Sequence, residues 1–384
     1  MVNQVSPQHA TKLALISPYA RSLVNFRGPL IRDFVQHGVQ VYALAPDFTP
    51  HIRYEIEQLG GISISYPLQR TGTNPLQDIY SLYSLVKILR KIKPRVVLTY
   101  QPKANIYGML AAEIVRVPKK VAWITGLGSN FVEEKKIQLK KRVLRSVMTN
   151  LYKRALQHTD IVIFQNKEDQ EEFLSLGIIS SEKNMLLAAT GIDLDKWLTV
   201  PPHLSPFTFT MVARLLKEKG VREFAEAARM VKARHPEVCF LLIGPLDTNP
   251  GALSEEEVRG WVEEGILEWV PWTDDVRSYL RQTSVYVLPS YREGVPRSTQ
   301  EAMAMGRPVI TTDVPGCRET VVHLKNGFLV PARDSSALAE AMECFINEPA
   351  WVERMGQESR RLAEERFDVK KINPRLIAHL LEKV

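Results

Sequence analysis

The sequence of 384 residues lacks any long apolar run. No stretch approaches the roughly eighteen apolar residues that indicate a membrane-spanning helix, and the first residues contain no apolar core typical of a signal peptide. We therefore expect a cytoplasmic protein. Hydrophobic residues make up 45% of the chain and charged residues 24%, which is ordinary for a globular protein with room for two domains.

Cysteine is scarce, and two common nucleotide-binding motifs are absent. Cys239, Cys317 and Cys344 lie far apart and match no metal-ligand spacing, which argues against a disulfide framework and a zinc site. Gly126-x-Gly128 lacks the third glycine of the dinucleotide fingerprint, and the chain contains no Gly-x4-Gly-Lys-Ser/Thr sequence. The three cysteines are therefore predicted to be buried thiols.

Positive charge is unevenly distributed along the chain. The net charge is +7, but residues 1–200 alone carry +10 and the remaining 184 residues carry −3. A basic excess in one half indicates a domain that faces something anionic. No aromatic-rich recognition strand accompanies it, so we expect no nucleic-acid partner.

Short β-branched and apolar runs alternate with amphipathic helical segments through most of the chain. This alternation predicts parallel sheets with right-handed crossovers, an α/β fold of doubly wound type. The proline-rich stretch 201–206 predicts a linker, which divides the chain into domains 1–200 and 201–369. The predicted strands are 13–16, 39–45, 96–99, 120–124, 161–164 and 185–187 in the first series, then 207–213, 239–243, 267–270, 285–288, 309–312 and 328–330 in the second.

One strand-loop-helix-strand segment of the second series carries two glutamates. Ser298 precedes Glu301 by three residues, which predicts a capping box, and Gly306 is placed to end the helix. Ligands bind at the carboxyl ends of parallel strands, where a helix N-terminus offers N–H groups to anions. Glu293 and Glu301 can therefore accept hydrogen bonds from sugar or ribose hydroxyls. An isolated pair of glutamates would more often be a helix cap and a solvated side chain.

This pair is accompanied by two cations. Arg214 and Lys219 follow the first strand of the second series, and Lys219 is followed directly by Gly220. Preorganised cations at a strand end can stabilise the charge that develops on a departing diphosphate. By its spacing alone, the Arg-x4-Lys pair would more often be the solvated start of a helix. Together with Glu293 and Glu301, it favours a ligand site.

These motifs resemble those of the family 4 retaining glycosyltransferases, which carry an Arg-x4-Lys-Gly pair and a Glu-x7-Glu element in this order. The stretches 314–319, 124–128 and 23–27 are most similar to enzymes that extend polyprenyl-diphosphate-linked sugars, above all the bacterial α-1,3-N-acetylgalactosaminyltransferases. The resemblance covers about residues 11–370. It implies the GT-B fold, with two Rossmann-like domains facing an interdomain cleft and a C-terminal helix, at about 370–384, that packs back on the first domain.

The resemblance also implies a metal-independent site for a UDP-sugar, with no cofactor. Asp193-Leu194-Asp195 looks like the metal-binding Asp-x-Asp of the other major glycosyltransferase fold, but it lies in a turn between the two series. By the same resemblance, Glu301 binds the ribose and Glu293 the transferred sugar. The catalytic residues would be Arg214, Lys219 and Glu293, and the donor-binding residues Gly244, Trp272, Gly294, Val295, Pro296 and Glu301.

Candidate acceptor-binding residues follow three strands of the first series. Cations among them are suited to the diphosphate of a lipid-linked acceptor, although such residues are as often ordinary salt-bridge partners. Many family 4 enzymes have a histidine in this region, whereas this chain has none between His51 and His158. A histidine-assisted mechanism is therefore not expected. The candidates are Arg21, Asn25, Arg27, Lys103, Asn105 and Gly126.

A basic amphipathic segment, Glu133 to His158, predicts peripheral attachment to an anionic membrane surface through Lys135–Arg154. The alternative is a helix whose apolar side packs on the sheet. The sequence as a whole thus predicts transfer of an N-acetylhexosamine, most simply N-acetylgalactosamine, to a polyprenyl-diphosphate-linked sugar at the inner face of the cell membrane. A UDP-N-acetylglucosamine 2-epimerase of GT-B architecture and a non-catalytic nucleic-acid- or lipid-binding adaptor are the competing hypotheses.

Overall fold

The computed structural model describes residues 11–69, 72, 74–127, 139–187, 190–249 and 251–382. Its contacts divide the chain into two compact units. Unit 1 contains the chain up to Thr190 together with the segment from Val369 onward, and unit 2 contains Gly191–Asp368. Each unit has its own parallel sheet with helices between successive strands.

Unit 1 is built on a seven-stranded parallel sheet with the order β3-β2-β1-β4-β5-β6-β7. The inner strands are apolar on both faces; residues 13–16 of β1 and 96–98 of β4 are wholly buried, as expected where helices cover a parallel sheet. Its strands are β1 Lys12–Ile16, β2 Gln40–Ala45, β3 Ile62–Ser65, β4 Val96–Tyr100, β5 Lys119–Ile124, β6 Ile161–Phe164 and β7 Asn184–Leu186. Its helices are α1 Ala20–Gln36, α2 Pro50–Gln58, α3 Pro75–Ile92, α4 Pro102–Val115, α5 Leu139–Leu156, α6 Lys167–Ser175 and α13 Val369–Leu381.

Unit 2 is built on a six-stranded parallel sheet with the order β10-β9-β8-β11-β12-β13. Chain order reverses between β8 and β11, which is where an open sheet of this type leaves a crevice for ligands. Its strands are β8 Thr208–Val212, β9 Cys239–Ile243, β10 Glu268–Val270, β11 Val285–Leu288, β12 Val309–Thr312 and β13 Gly327–Val330. Its helices are α7 Val221–Lys232, α8 Glu255–Glu263, α9 Val276–Leu280, α10 Arg297–Ala304, α11 Ser335–Asn347 and α12 Ala350–Arg366.

The predicted doubly wound α/β fold is confirmed in both units. All twelve predicted strands are present, with ends that differ by one residue at most. Strand β3 was not predicted, because it is an edge strand in which no residue is fully buried and its apolar signal is weak.

The predicted capping box on α10 is wrong. Pro296 is the N-cap and makes no side-chain cap bond, whereas the Ser298 hydroxyl is hydrogen-bonded to the Tyr286 hydroxyl at 2.6 Å. Glu301 instead accepts a bond from Arg297. The Ser298 hydroxyl is bonded to Tyr286 of β11 and the Glu301 carboxylate to Arg297 of the same helix, so the reciprocal backbone bonds of a capping box do not form here. The predicted left-handed conformation of Gly306, which ends this helix, is confirmed by its φ of 76°.

The compact units divide at residue 190, ten residues before the boundary placed at the prolines. The intervening segment bonds to unit 2, since the Val200 amide donates to Met305 and the Trp197 carbonyl accepts from Arg360. Helix α13 belongs to unit 1 and packs against α1. There the Asn373 amide donates to Asp33 at 2.7 Å.

Replacing Leu376 with alanine should destabilise unit 1 by about 2–5 kcal/mol, because this side chain of α13 is fully buried and its truncation leaves a cavity. The free energy of unfolding is measured by urea titration with circular dichroism. Arg375→Ala, at an exposed position of the same helix, is the matched control and should change stability by less than about 0.5 kcal/mol. Equal effects of the two substitutions would contradict the packing of α13.

Candidate functional site

The loops after β8 and β11 are pressed together at the carboxyl edge of the unit 2 sheet. A Cβ atom at Gly220 would lie 2.1 Å from the Pro289 carbonyl oxygen, and the φ of Gly220 is +73°, so only glycine fits there. The Tyr291 amide donates to the Glu218 carbonyl at 2.9 Å. This close approach carries Lys219, the residue before the glycine, toward the segment that contains Glu293.

Lys219 and Glu293 form an ion pair at this edge. The Lys219 Nζ atom lies 2.5 Å from Glu293 Oε1, and the two side chains are only 19% and 13% exposed. The Ser290 hydroxyl donates to the same carboxylate oxygen at 2.8 Å. A cation and an acid that were predicted from separate motifs therefore lie next to each other. Both side chains are mostly buried, and electrostatic interactions are stronger there than in water.

A third loop, after β12, contacts the backbone of Glu293. The Glu293 amide donates to the Pro315 carbonyl at 3.1 Å. A Cβ atom at Gly316 would come within 2.3 Å of the carbonyl oxygens of both Glu293 and Gly294. The segment 314–319, which supported the family resemblance, thus fixes the backbone position of Glu293.

Cys317 lies beside this pair and is buried. Burial and the charge of Glu293 raise the pKa of its thiol to about 12, although nearby hydroxyls and Lys219 oppose part of the shift. A thiol with this pKa stays protonated near neutral pH. The prediction of a buried thiol is correct here, whereas Cys239 and Cys344 are only partly buried.

Arg214 is held by an acid that sequence reasoning missed. Its Nη1 atom lies 2.6 Å from Asp247 Oδ2, whose side chain is 4% exposed, while the Arg214 side chain is 45% exposed. Asn249 donates to the other carboxylate oxygen through its backbone and side-chain amides. Asp247 follows the end of β9, and this position after a strand end was the available signal.

Glu301 lies on α10 in a less polar environment. Its carboxylate accepts a bond from Arg297 at 2.9 Å, and Arg297 also donates to the Gly191 carbonyl. Burial raises the pKa of Glu301, and the Arg297 charge lowers it in part. The carboxyl group therefore protonates at a higher pH than an ordinary glutamate.

The remaining donor-binding candidates line the same unit. Gly244 follows β9 with a φ of +150°, and a Cβ atom there would lie 1.8 Å from the Ala213 carbonyl oxygen. Packing against Ala213 alone therefore requires glycine at this position. Trp272 follows β10 with 53% of its surface exposed, whereas Val295 is 6% exposed. Gly294, Val295 and Pro296 lead directly into α10. Their binding roles stay predictions.

In unit 1, the acceptor-binding candidates fall into an accessible and a buried set. Arg21 and Asn25 lie on α1, half-buried and exposed respectively, and Gly126 follows β5 with a φ of +118°. Arg27 is 2% exposed, and its guanidinium lies 4.5 Å from the ring centre of Tyr100 and 4.0 Å from that of Trp123. Such stacking orients the strand ends through cation–π contact.

Lys103 and Asn105, at the start of α4, have partners within unit 1. Lys103 forms a 2.8 Å ion pair with Asp78 of α3, whose other carboxylate oxygen accepts from Tyr107. Asn105 accepts from the Thr99 hydroxyl and donates to a β5 carbonyl. These contacts join α3, α4 and the sheet. Binding of an acceptor by either residue stays a prediction.

The predicted membrane-binding segment lies partly outside the described residues, which begin again at 139, and the side chains described start at 142. In the described part of α5, Tyr152 is buried and packs edge-on against Phe173. Arg145 forms a 2.8 Å ion pair with Glu172. Part of the apolar side of this helix therefore packs in the unit 1 core, as in the alternative reading of the segment, while Val143 and Val147 are exposed.

A membrane-spanning helix and a metal-ion cluster are both absent from the described residues. No helix in that part of the chain is both long and apolar enough to cross a membrane. Nor do the described histidines, cysteines, aspartates and glutamates form a cluster of three or more that would hold a metal ion. Asp193 accepts from the Asp195 amide in a turn. Metal independence stays a prediction.

Comparison with protein families gives a match in each part of the chain. A model described as glycosyltransferase family 4 matches residues 30–196, and a model described as glycosyl transferases group 1 matches residues 206–348. The first match contains most of unit 1 and the second contains every strand of unit 2. The two matches follow each other in the order that the resemblance implied.

Among curated proteins, the chain is 27% identical over 353 residues to the N,N'-diacetylbacillosaminyl-diphospho-undecaprenol alpha-1,3-N-acetylgalactosaminyltransferase of Campylobacter jejuni, covering 88% of this chain and 90% of that protein. It is 26% identical over 280 residues to the UDP-Gal:alpha-D-GlcNAc-diphosphoundecaprenol alpha-1,3-galactosyltransferase of Escherichia coli, covering 70% of each.

Among solved structures, the Anabaena protein HepE in complex with UDP and glucose has a TM-score of 0.77 at 19% identity, covering 98% of this chain and 100% of that one. The sucrose-phosphate synthase of Thermosynechococcus elongatus has a TM-score of 0.76 at 19% identity, covering 96% and 98%. At these identities the likeness establishes the fold alone, and that fold is GT-B.

Because burial and Glu293 raise the pKa of Cys317, this thiol should resist iodoacetamide at about pH 8 in the folded protein. Mass spectrometry of peptides should show slower modification of Cys317 than of the half-buried Cys239 and Cys344. After unfolding in urea, all three should react at similar rates. Rapid modification of Cys317 in the folded state would contradict its placement beside Glu293.

Proposed function

We propose that this chain, which belongs to the family 4 glycosyltransferases, transfers an N-acetylhexosamine from a UDP-sugar to a polyprenyl-diphosphate-linked sugar with retention of configuration. N-acetylgalactosamine is the sugar that the Campylobacter jejuni relative transfers by its name, and both curated relatives act by their names on diphosphoundecaprenol-linked sugars. The proposal places the protein in bacterial glycan assembly at the inner membrane face.

The observation that carries this proposal is the ion pair between Lys219 and Glu293, with Arg214 in the same loop after β8 as Lys219. All three lie in the loops at the carboxyl edge of the unit 2 sheet, where an open parallel sheet binds its ligands. The pair offers one group for each part of a nucleotide sugar: a cation for the diphosphate and a carboxylate for the sugar hydroxyls.

In the proposed reaction, the bond between the anomeric carbon and the UDP oxygen breaks and negative charge grows on the diphosphate. Lys219 and Arg214 stabilise that charge, and Asp247 positions Arg214 through its 2.6 Å ion pair. Glu293 holds hydroxyls of the transferred sugar, and Glu301 holds those of the ribose. The acceptor hydroxyl attacks from the face that the leaving group vacates, and a phosphate oxygen takes its proton.

In the proposed function, unit 1 binds the acceptor. Arg21 and Asn25 on α1 and Gly126 after β5 are the candidates left accessible, and a diphosphate favours a guanidinium at this position. Arg27 would act by orienting Tyr100 and Trp123. The lipid chain of such an acceptor keeps it in the membrane, so the enzyme must work at the membrane surface.

Incubating the purified protein with membrane extract and a panel of UDP-sugars should extend one lipid-linked glycan, which mass spectrometry identifies. Lys219→Met and Glu293→Gln should each lower kcat by about 10²- to 10³-fold, because each removes a group that acts on the departing diphosphate or the sugar. Release of a free epimer from UDP-N-acetylglucosamine alone would instead favour an epimerase. Nucleic-acid binding without UDP binding would favour an adaptor.

The matched controls are Lys217→Met, two residues before Lys219 on the same loop, and Glu256→Gln on α8, both at exposed positions. They should keep near-normal turnover. Thermal unfolding of all four variants checks that lost activity does not reflect lost structure. Near-normal turnover of both Lys219→Met and Glu293→Gln would contradict the proposed roles.

The affinity for UDP should weaken as pH falls through the raised pKa of Glu301. Since burial raises that pKa, the carboxylate that accepts ribose hydroxyls is lost at a higher pH than for an ordinary glutamate, and affinity is restored as pH rises. Isothermal titration calorimetry across the weakly acidic range measures this. In Glu301→Gln the affinity should be lower at neutral pH and change less with pH. Parallel pH profiles of the two proteins would contradict the assignment.

A further inference from the structure

Helix α3 of unit 1 exposes a row of large apolar side chains. Leu76, Ile79, Tyr80 and Tyr83 are 76%, 62%, 61% and 53% exposed. Their spacing of three and four residues places them on one side of the helix. Exposed apolar residues are common singly, but four on a single helical face mark an interaction surface.

The opposite side of α3 fixes the helix in this orientation. Ser81, Leu85 and Leu89 are buried against the unit 1 core. The buried carboxylate of Asp78 binds Lys103 and Tyr107 of α4 at 2.8 Å each. The apolar row therefore cannot turn inward without breaking an ion pair and exposing the core residues.

Basic residues continue the row toward the end of the helix. Lys87, Arg90 and Lys91 are exposed and lie on the same side as Tyr83, and the Lys87 ammonium lies 4.5 Å from the centre of the Tyr83 ring. In the described part of the chain none of the three is in an ion pair. Asp78 is the only acid of α3 and is buried, so the charges on the exposed side of the helix are all positive.

The cationic end opens into a cavity of about 1180 Å³ at the amino edge of the sheet. Arg90 lines it together with Lys93, Arg95 and Arg116. Lys93 and Arg116 are the left-handed C-caps of α3 and α4, where a cation also stabilises its own helix. Asp160 and Glu382 are at the same cavity. The charge beside the row is nevertheless predominantly positive.

We propose that this side of α3, called here the α3 face and made of Leu76, Ile79, Tyr80, Tyr83, Lys87, Arg90 and Lys91, docks on an anionic lipid bilayer. The face is about 22 Å long from Leu76 to Lys91. Aliphatic and tyrosine side chains enter the boundary between headgroups and acyl chains, and the cations bind lipid phosphates. Exposed apolar side chains beside cations are the composition of helices that lie in the interface of an anionic membrane, which favours lipid as the partner.

This inference deepens the proposed function and rests on it for the lipid-linked acceptor. Because α3 leads into β4 and runs antiparallel to it, the apolar row begins at the carboxyl edge of the sheet. Lys103 and Gly126 follow strands at that same edge. In α5, by contrast, Tyr152 is buried and Arg145 is paired with Glu172. The large apolar side chains that the described part of α5 exposes are only the two smaller ones of Val143 and Val147, against four on α3. The α3 face is thus the better placed of the two for a bilayer that holds the acceptor.

Vesicle flotation of the full chain, without sugar donor or acceptor, tests the docking. The protein should float with phosphatidylcholine–phosphatidylglycerol vesicles at low salt and much less with phosphatidylcholine alone. Lys87→Glu with Lys91→Glu should weaken binding at least about tenfold, and Ile79→Ser with Tyr83→Ser should do so as well. Retention of wild-type binding by both double variants would overturn the proposal, as would a wild-type protein that does not float.

The matched controls carry the same kinds of substitution at exposed positions outside the α3 face. Tyr54→Ser with Leu198→Ser replaces side chains that are 59% and 61% exposed, and Lys196→Glu with Arg375→Glu changes net charge equally at exposed positions. Both should float like the wild type; losses equal to those of the α3 variants would overturn the proposal. Analytical ultracentrifugation without vesicles measures self-association. If only the α3 variants abolish self-association and flotation is unchanged, the α3 face is a contact between copies of the chain and the proposal is overturned.

The assay separates this inference from the proposed function. Transfer to a short-chain, water-soluble acceptor should be unchanged in the α3 variants, while transfer to an acceptor in vesicles should fall with binding. A protein that floats through α3 but transfers no sugar would contradict only the proposed function. Normal transfer with flotation indifferent to α3 would contradict only the docking surface.

Discussion

The ion pair between Lys219 and Glu293 is the interaction on which the unit 2 site depends. Its two members come from different strand ends, and they meet because the loops after β8 and β11 touch at Gly220 and Pro289. Breaking the pair would leave a mostly buried charge without a counterion, which is costly. A nucleotide sugar that brings its own negative charge and hydroxyls can replace these partners, so the pair keeps the site charged and ordered until the ligand arrives.

In unit 1, buried and paired cations hold the structure together. Arg27 is stacked on Tyr100 and Trp123, and Lys103 is paired with Asp78, so both serve first to hold strand ends and helices in place. The same contacts that occupy Lys103 also orient α3 and leave its apolar side exposed. A single buried carboxylate thus links the candidate acceptor region to the proposed lipid-binding face.

Much of the fold followed from the sequence because parallel strands covered on both faces need nearly continuous apolar runs. The residues of β6, β9, β11 and β12 were predicted with their observed ends. Edge strand β3 was missed because its residues are half-exposed and give only a weak pattern. The capping box failed because Ser298 bonds to Tyr286 of a neighbouring strand and Glu301 bonds to Arg297 of its own helix, and these partners replace the backbone bonds of a cap.

By itself, the sequence determined where chemistry-bearing residues follow strands, since both the periodicity of the strands and the Arg-x4-Lys and Glu-x7-Glu spacings are local. Only the tertiary structure decided which partner each charged side chain takes: Asp247 for Arg214, Glu293 for Lys219, and Asp78 for Lys103. It also decided that α3 exposes four large apolar side chains on one side, whereas much of the apolar side of the more basic α5 packs in the core. These outcomes depend on distances between residues far apart in the chain, which no local pattern encodes.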